Sequence, residues 1–180
     1  MTIHTEHPFD TPDGDRDPVR RLRARTGATV SLWTAGAGVE RAGLTVSSYL
    51  VASGDPGRIV ALLHPESDLL DRLEDTGAAV VALLEWRHRD LADAFAGVMP
   101  APGGPFRLGE FEQTHWGPRL VTASTWAGVR LDAASRRDVG WSVLLEADIE
   151  HVSVGTGPEP DPLVHRRGRY QRPVSGAQAD

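Results

Sequence analysis

The 180-residue sequence has no cysteine and no lysine. Without cysteine there can be no disulfide, thiolate nucleophile or cysteine-ligated zinc or iron–sulfur centre, so any redox chemistry must come from a bound cofactor; the absence also fits a reducing compartment. Without lysine there is no Schiff-base amine and no Walker-type phosphate lysine, which leaves phosphate recognition to arginine and its planar fork. Long apolar runs are missing too: nothing approaches the roughly 18 residues that mark a membrane-spanning helix. Residues 1–17 carry His, Asp and Pro where a secretory signal would need a basic start and an apolar stretch. A soluble, cytoplasmic protein with no membrane partner is expected. The formal net charge of -6 argues against a general nucleic-acid binder, which would present a basic face.

Familiar catalytic patterns are equally scarce. The seven histidines stand singly, none paired at i, i+4 beside a carboxylate as a helical zinc site requires, so no metal centre is expected. His115, next to Trp116, and His165 are the candidates nearest to a ligand or base, and each reads more simply as a surface or barrel-end histidine. Ser47 and Ser48 lack the Gly-x-Ser-x-Gly elbow of an esterase. Gly36-Ala37-Gly38 lacks the third glycine of a dinucleotide fingerprint, and there is no P-loop.

The chain length suits one domain with a single core. That domain is expected over residues 17–173, between flexible polar tails at 1–16 and 174–180. Asp17-Pro18 has the form of an N-cap and first-turn proline opening an arginine-rich helix that ends at Gly27, with its basic face solvated or at an interface. Strands are expected at Ala28–Thr34, Leu44–Ala52 and Arg58–Leu63, with a turn at Asp55-Pro56-Gly57. Ser67 precedes a short helix carrying Leu69, Leu70 and Leu73; Ala79–Leu84 has strand length; His88–Val98 repeats at helical spacing. After the proline- and glycine-rich loop Met99–Pro105 come two long strand candidates, Arg119–Leu131 and Trp141–Val154, joined by a polar turn over Asp132–Gly140. A last strand runs near Leu163–Tyr170. Six or seven strands with two short helical insertions, and no alternation with crossover helices, predict a mainly β, closed or nearly closed antiparallel barrel of Greek-key type rather than a parallel α/β sheet.

The octapeptide Arg41-Ala42-Gly43-Leu44-Thr45-Val46-Ser47-Ser48 is small and hydroxylated where a packed strand would be bulky, so a flat group could lie against it; hydroxyls on an edge strand are equally ordinary. This segment resembles the Gly-Met-Thr-Val-Ser-Ser segment of the flavin reductase family, with Leu44 where Met is frequent. Further matches follow in the family's order: Asp55-Pro56, Ser67, Leu91-Ala92 with Phe95-Ala96-Gly97, Pro162-Leu163-Val164 and Arg167-Gly168-Arg169-Tyr170, together covering roughly Pro18 to Pro173.

The resemblance implies an FMN-binding split barrel, FAD being the alternative flavin, with NAD(P)H as co-substrate. It implies a flavin site where two subunits of a homodimer meet, and a monooxygenase as the recipient of reduced flavin. It places Leu44, Thr45, Val46, Ser47 and Ser48 against the isoalloxazine ring and Ser67 near the phosphate, although Leu69 stands where the family's second hydroxyl would be. The chain departs from the family at two further sites. Ala82 occupies the place of an asparagine that bonds to flavin. Gly140-Trp141-Ser142 replaces Gly-Asp-His near the nicotinamide, so that Ser142 stands for the histidine and Trp141, a stacking candidate, for the acid. Arg169, in the cluster from Arg166, is the candidate for a phosphate contact. Trp33, Trp86, Trp116 and Trp126 read as core. These departures open alternatives: a flavin carrier or interaction subunit without NAD(P)H turnover, or a barrel holding another flat cofactor such as haem or a deazaflavin.

Overall fold

The computed structural model describes residues 17–157 and 161–173; the tails expected at 1–16 and 174–180 lie outside them. Helix α1 (Pro18–Thr26) begins as the sequence indicates: the Asp17 carboxylate accepts from the Val19 amide at 3.0 Å and Pro18 occupies the first turn. No α1 residue is buried. The chain then forms β1 (Ala28–Thr29) and β2 (Ser31–Ala35), β3 (Ala42–Val46), β4 (Tyr49–Ala52) and β5 (Arg58–Leu63). Helix α2 (Asp68–Thr76) leads to β6 (Ala78–Leu83), and helix α3 (Arg89–Phe95) follows a 3-10 turn over Trp86–His88. The carboxyl-terminal part contributes β7 (Phe111–Gln113), β8 (Pro118–Leu120), the long pair β9 (Trp126–Val139) and β10 (Ser142–Ser153), and the hairpin β11 (Val164–Arg166) and β12 (Arg169–Gln171).

Seven strands form one antiparallel sheet in the order β3-β2-β6-β9-β10-β5-β4. The two edges of that sheet, β3 and β4, are consecutive in the chain, so the sheet curls until its ends face each other across the Ser47-Ser48 corner without pairing as a ladder. This is the open antiparallel barrel that the sequence predicts. The expectation of one strand over Leu44–Ala52 is corrected here: the chain bends at Ser47-Ser48 and its two halves pair with different strands, β2 and β5. Val30 likewise divides the strand expected over Ala28–Thr34, because its amide bonds to Leu163 while β2 goes on to pair with β6. The polar turn expected over Asp132–Gly140 is strand as far as Val139, leaving only Gly140 and Trp141 as the hairpin tip. Gly140 has φ 60°, which favours glycine at such a turn.

Side chains of alternate parity fill the barrel. Trp33, Val46, Ile59, Ala61, Leu63, Val81, Val129, Val143 and Leu145 point inward, and Leu69, Leu70 and Leu73 of α2 plug one end. The outer face of β2, β3 and β6 is covered by α3 and the segment that follows it, burying Leu32, Ala82, Leu91, Ala92, Phe95 and Leu120. Full burial of each large apolar side chain contributes about 1.5–3 kcal/mol, so both layers are needed to hold β3 in place.

One buried polar group ties α3 to the loop after β8. The Glu85 amide donates to His88 Nδ1 at 3.1 Å, and His88 Nε2 lies 3.0 Å from the Thr122 hydroxyl, an arrangement that requires the neutral ring with its proton on Nε2. Burial, reinforced by nearby Arg87 and opposed by Glu85, holds His88 below its ordinary value of 6.5. The unfolded chain therefore binds a proton first on acidification, so this contribution to stability is present above about 6.5 and is lost as pH falls. Urea midpoints should drop between pH 7.5 and 5.5, and His88→Gln should flatten that dependence; an unchanged slope would exclude His88 as its source.

Candidate functional site at the split of the barrel

As an edge strand, β3 directs every second backbone N–H and C=O away from β2, toward the seam. Its side chains alternate. Leu44 faces inward opposite Trp33, Val46 is buried opposite Ser31, and Gly43 and Thr45 lie on the outer face. The Thr45 hydroxyl donates to the Ala92 carbonyl of α3 at 2.7 Å, and the Ser31 hydroxyl donates to the Val46 carbonyl at 2.8 Å. At the corner, the Ser48 hydroxyl donates to the Leu62 carbonyl at 2.7 Å while the Leu62 amide donates to Ser48 O at 2.9 Å. The Thr45 and Ser48 hydroxyls thus brace the backbone of the shelf, and the outward-facing peptide groups of β3 have no strand partner among the described residues.

Gly43 has a packing explanation. A Cβ there would stand 2.6 Å from Phe95 Cε1 and 3.3 Å from Phe106 Cζ, and Phe95 meets Phe106 edge to face at 4.9 Å. Gly43→Ala should cost about 1–3 kcal/mol through overpacking, and Phe95→Leu should recover most of that loss in a double-mutant cycle. Additive losses in urea unfolding would show that the glycine answers to something else.

The end of β5 gathers three of the expected positions. Ser48 is bonded to Leu62, Leu63 pairs with Val143 next to Ser142, and the chain leaving β5 runs through His64 to Ser67 at the start of α2. A cleft of about 440 Å³ opens there, lined by His64, Glu66, Asp138, Trp141 and Ser142 among others. Ser67 caps α2, accepting from the Leu70 amide at 3.3 Å and donating to His64 O at 2.9 Å. The Asp68 and Leu69 amides of the first turn have no intrahelical acceptor and, with the helix dipole, favour an anion. The side chain of Asp68 is exposed. Trp141, 92% exposed, stands at the hairpin tip rather than in the core. His64 and Asp138, which sequence patterns do not single out, enter the cleft through the strand register that sets Asp138 opposite Val143.

Ala82 and Arg169 lie elsewhere. Ala82 shares a cross-strand row with Leu32 and Thr45 but is 1% exposed beneath α3. Arg169 is exposed, opposite Arg166 in the separate β1-β11-β12 sheet. On the same hairpin, burial, then the Asp93 charge and hydrogen bond, push the Tyr170 hydroxyl well above its ordinary range. His165 packs edge-on to Tyr170 at 5.7 Å, and His115 lies 3.2 Å from Arg130. Trp33 is core as expected, whereas Trp116 and Trp126 form a half-exposed cluster with His151, stacked at 5.3 Å on Trp116. Among the described residues no helix is long and apolar enough to cross a membrane.

An open antiparallel barrel whose two edge strands are joined by a small hydroxylated corner, with a capped helix start beside it, defines the split-barrel class. Within that class the chain belongs to the flavin reductase like domain family, whose model matches residues 23–173. No match was found among curated proteins. Among solved structures, the chain is similar to the NADH:FAD oxidoreductase SgcE6 of Streptomyces globisporus C-1027 in complex with NAD and FAD fragments (18% identity, 92% of this chain and 96% of that one, TM-score 0.79). It is also similar to the styrene monooxygenase flavin reductase SMOB of Pseudomonas putida S12 (22% identity, 87% and 97%, TM-score 0.73). A third similar structure is a flavin reductase domain protein from Arthrobacter sp. FB24 (21% identity, 87% and 94%, TM-score 0.75). At these identities the likeness establishes the fold.

Proposed function

We propose that the chain is a cytoplasmic, homodimeric NAD(P)H:flavin oxidoreductase that uses FMN, or alternatively FAD, and hands reduced flavin to a monooxygenase. The observation that carries this reading is the β3 edge: a strand whose outward peptide groups have no ladder partner among the described residues, braced by the Thr45 hydroxyl and, at the corner that follows it, by Ser48, beside an anion-favouring helix start. The donor set fits a flavin, which has polar atoms along one edge of a flat ring and a phosphate at the end of its side chain. When bound, the flavin supplies the hydride acceptor, so the protein needs to position and exclude water rather than provide an acid or nucleophile.

On this reading the backbone of Leu44 to Ser48 aligns the pyrimidine edge of the ring, and Thr45 keeps that strand seated on α3. Ser67 orients the first turn of α2 toward the phosphate. Trp141, beside Ser142 in the cleft, offers an aromatic face for the nicotinamide. Arg169 would reach a phosphate only across the seam or from a second subunit. The exposed apolar residues Leu50 and Val51 on the β4 edge are the surface that a second copy would cover. SgcE6 and SMOB, an NADH:FAD oxidoreductase and a monooxygenase flavin reductase by name, support the same direction of chemistry.

The substitutions at Ala82 and Ser142 favour one second reading, a flavin-holding barrel without NAD(P)H turnover. Titrating FMN with the purified protein should quench flavin fluorescence to saturation at one flavin per subunit. No response to FMN, and none to FAD in a parallel titration, would remove both readings, while binding without NAD(P)H oxidation above background would select the second.

A further inference from the structure

The fold assembles a basic face that, Arg169 apart, has no part in the flavin site. Arg20, Arg21, Arg23 and Arg25 are all exposed on α1, and Arg166, Arg167 and Arg169 are exposed on the β11–β12 hairpin. The two groups form one surface: the Arg167 amide donates to the Ala24 carbonyl at 2.7 Å, and the Arg166 side chain packs where a Cβ on Gly27 would lie, 3.6 Å away. Burial, and then the Arg23 guanidinium, keep His165 below its ordinary value against the opposing charge of Asp93, which places Arg23 within electrostatic reach of the hairpin.

Arginines elsewhere on the molecule are mostly neutralised. Eight of them, from Arg58 to Arg172, pair with carboxylates, whereas none of these seven does so among the described residues. Like charges gathered in this way repel one another unless a counter-surface covers them. Val19 and Leu22, 69% and 67% exposed on α1, are set among the arginines. An apolar centre within an arginine-rich surround is the anatomy of a protein interface. A chain of net charge -6 repels an extended polyanion over the rest of its surface, so a partner protein with an acidic patch of matching size fits better than a nucleic acid.

The position of the face indicates what such a partner would gain. The charge of Asp93 acts on the half-buried Tyr170 hydroxyl, next to Arg169, and Ala92, which precedes Asp93 on α3, holds Thr45 of β3. We infer that the face formed by α1 and the β11–β12 hairpin docks the acidic surface of the oxygenase that consumes the reduced flavin, an inference that rests on the reductase function proposed above.

A fluorescently labelled poly-glutamate peptide serves as the probe. It should bind the full chain with an affinity that falls as salt rises. The triple variant R20E/R23E/R25E should weaken binding ~tenfold or more at low salt, and R20Q/R23Q/R25Q by less, with far-ultraviolet circular dichroism, native mass and FMN quenching unchanged. Retained peptide affinity in both variants would overturn the site. Tighter binding of single-stranded DNA or of phosphatidylserine vesicles at the same salt would overturn the occupant, and a fall in native mass would assign the face to a second copy of the chain. Failure of FMN quenching in the parent protein would count against the reductase function while leaving the peptide result separately readable.

Discussion

Ser67→Asp should weaken FMN binding roughly ten- to hundredfold while leaving riboflavin binding and the fold unchanged. Aspartate caps a helix as well as serine does, so α2 and the buried Leu69, Leu70 and Leu73 beneath it keep their places. The variant adds one negative charge at the helix start and gives up only the exposed hydroxyl bond from Ser67 to the His64 carbonyl. A carboxylate brought near a phosphate in a partly solvated site costs about 1.4–2.8 kcal/mol, which is the stated change in affinity. Riboflavin carries no phosphate and isolates the effect. Equal weakening of FMN and riboflavin, or of neither, in fluorescence titrations would show that the phosphate is not held at α2.

Trp33→Ala should lower stability by about 3–5 kcal/mol, a large share of the roughly 5–15 kcal/mol available to a domain. Trp33 is 1% exposed in the middle of the barrel. Its Nε1 donates to the Ser31 hydroxyl at 3.0 Å, and that hydroxyl donates to the Val46 carbonyl on β3. Removing the indole leaves a large cavity and loosens the support of the shelf, so flavin affinity should fall together with the urea midpoint, at an unchanged m-value. A loss below about 1 kcal/mol would mean that the barrel collapses around the gap.

The elements that read correctly from the sequence are those in which local chemistry and tertiary packing agree. Asp17-Pro18, the Ser67 cap with its leucine repeat, and the alternating strand Arg58–Leu63 each appear where expected. The errors arise where a long-range pairing decides. Nothing local distinguishes Thr45-Val46-Ser47-Ser48-Tyr49 from one continuous strand; the break exists because Val46 pairs with Ser31 while Ser48 bonds to Leu62. The polar residues Asp132–Val139 resemble a loop, yet they are strand because β10 supplies their backbone partners, and Ser135 bonds both the amide and the carbonyl of Glu146.

The candidate site divides in the same way. The small, hydroxylated stretch marks the sheet edge and its corner, but Gly43 owes its size to Phe95 and the Thr45 and Ser48 hydroxyls face the protein. The cleft around His64, Asp138 and Trp141 was not legible, since its lining comes from two segments more than seventy residues apart that only the β5–β10 pairing joins. The basic face had been visible as two separate arginine clusters, and a single backbone hydrogen bond from Arg167 to Ala24 makes them one.

Steady-state oxidation of NADH and NADPH, measured with and without added FMN, FAD and riboflavin, tests the central claim most directly. The reductase function predicts oxidation that depends on both protein and flavin and that saturates in each. Nicotinamide oxidation no faster than flavin alone supports, with all three flavins and both nucleotides, would contradict it.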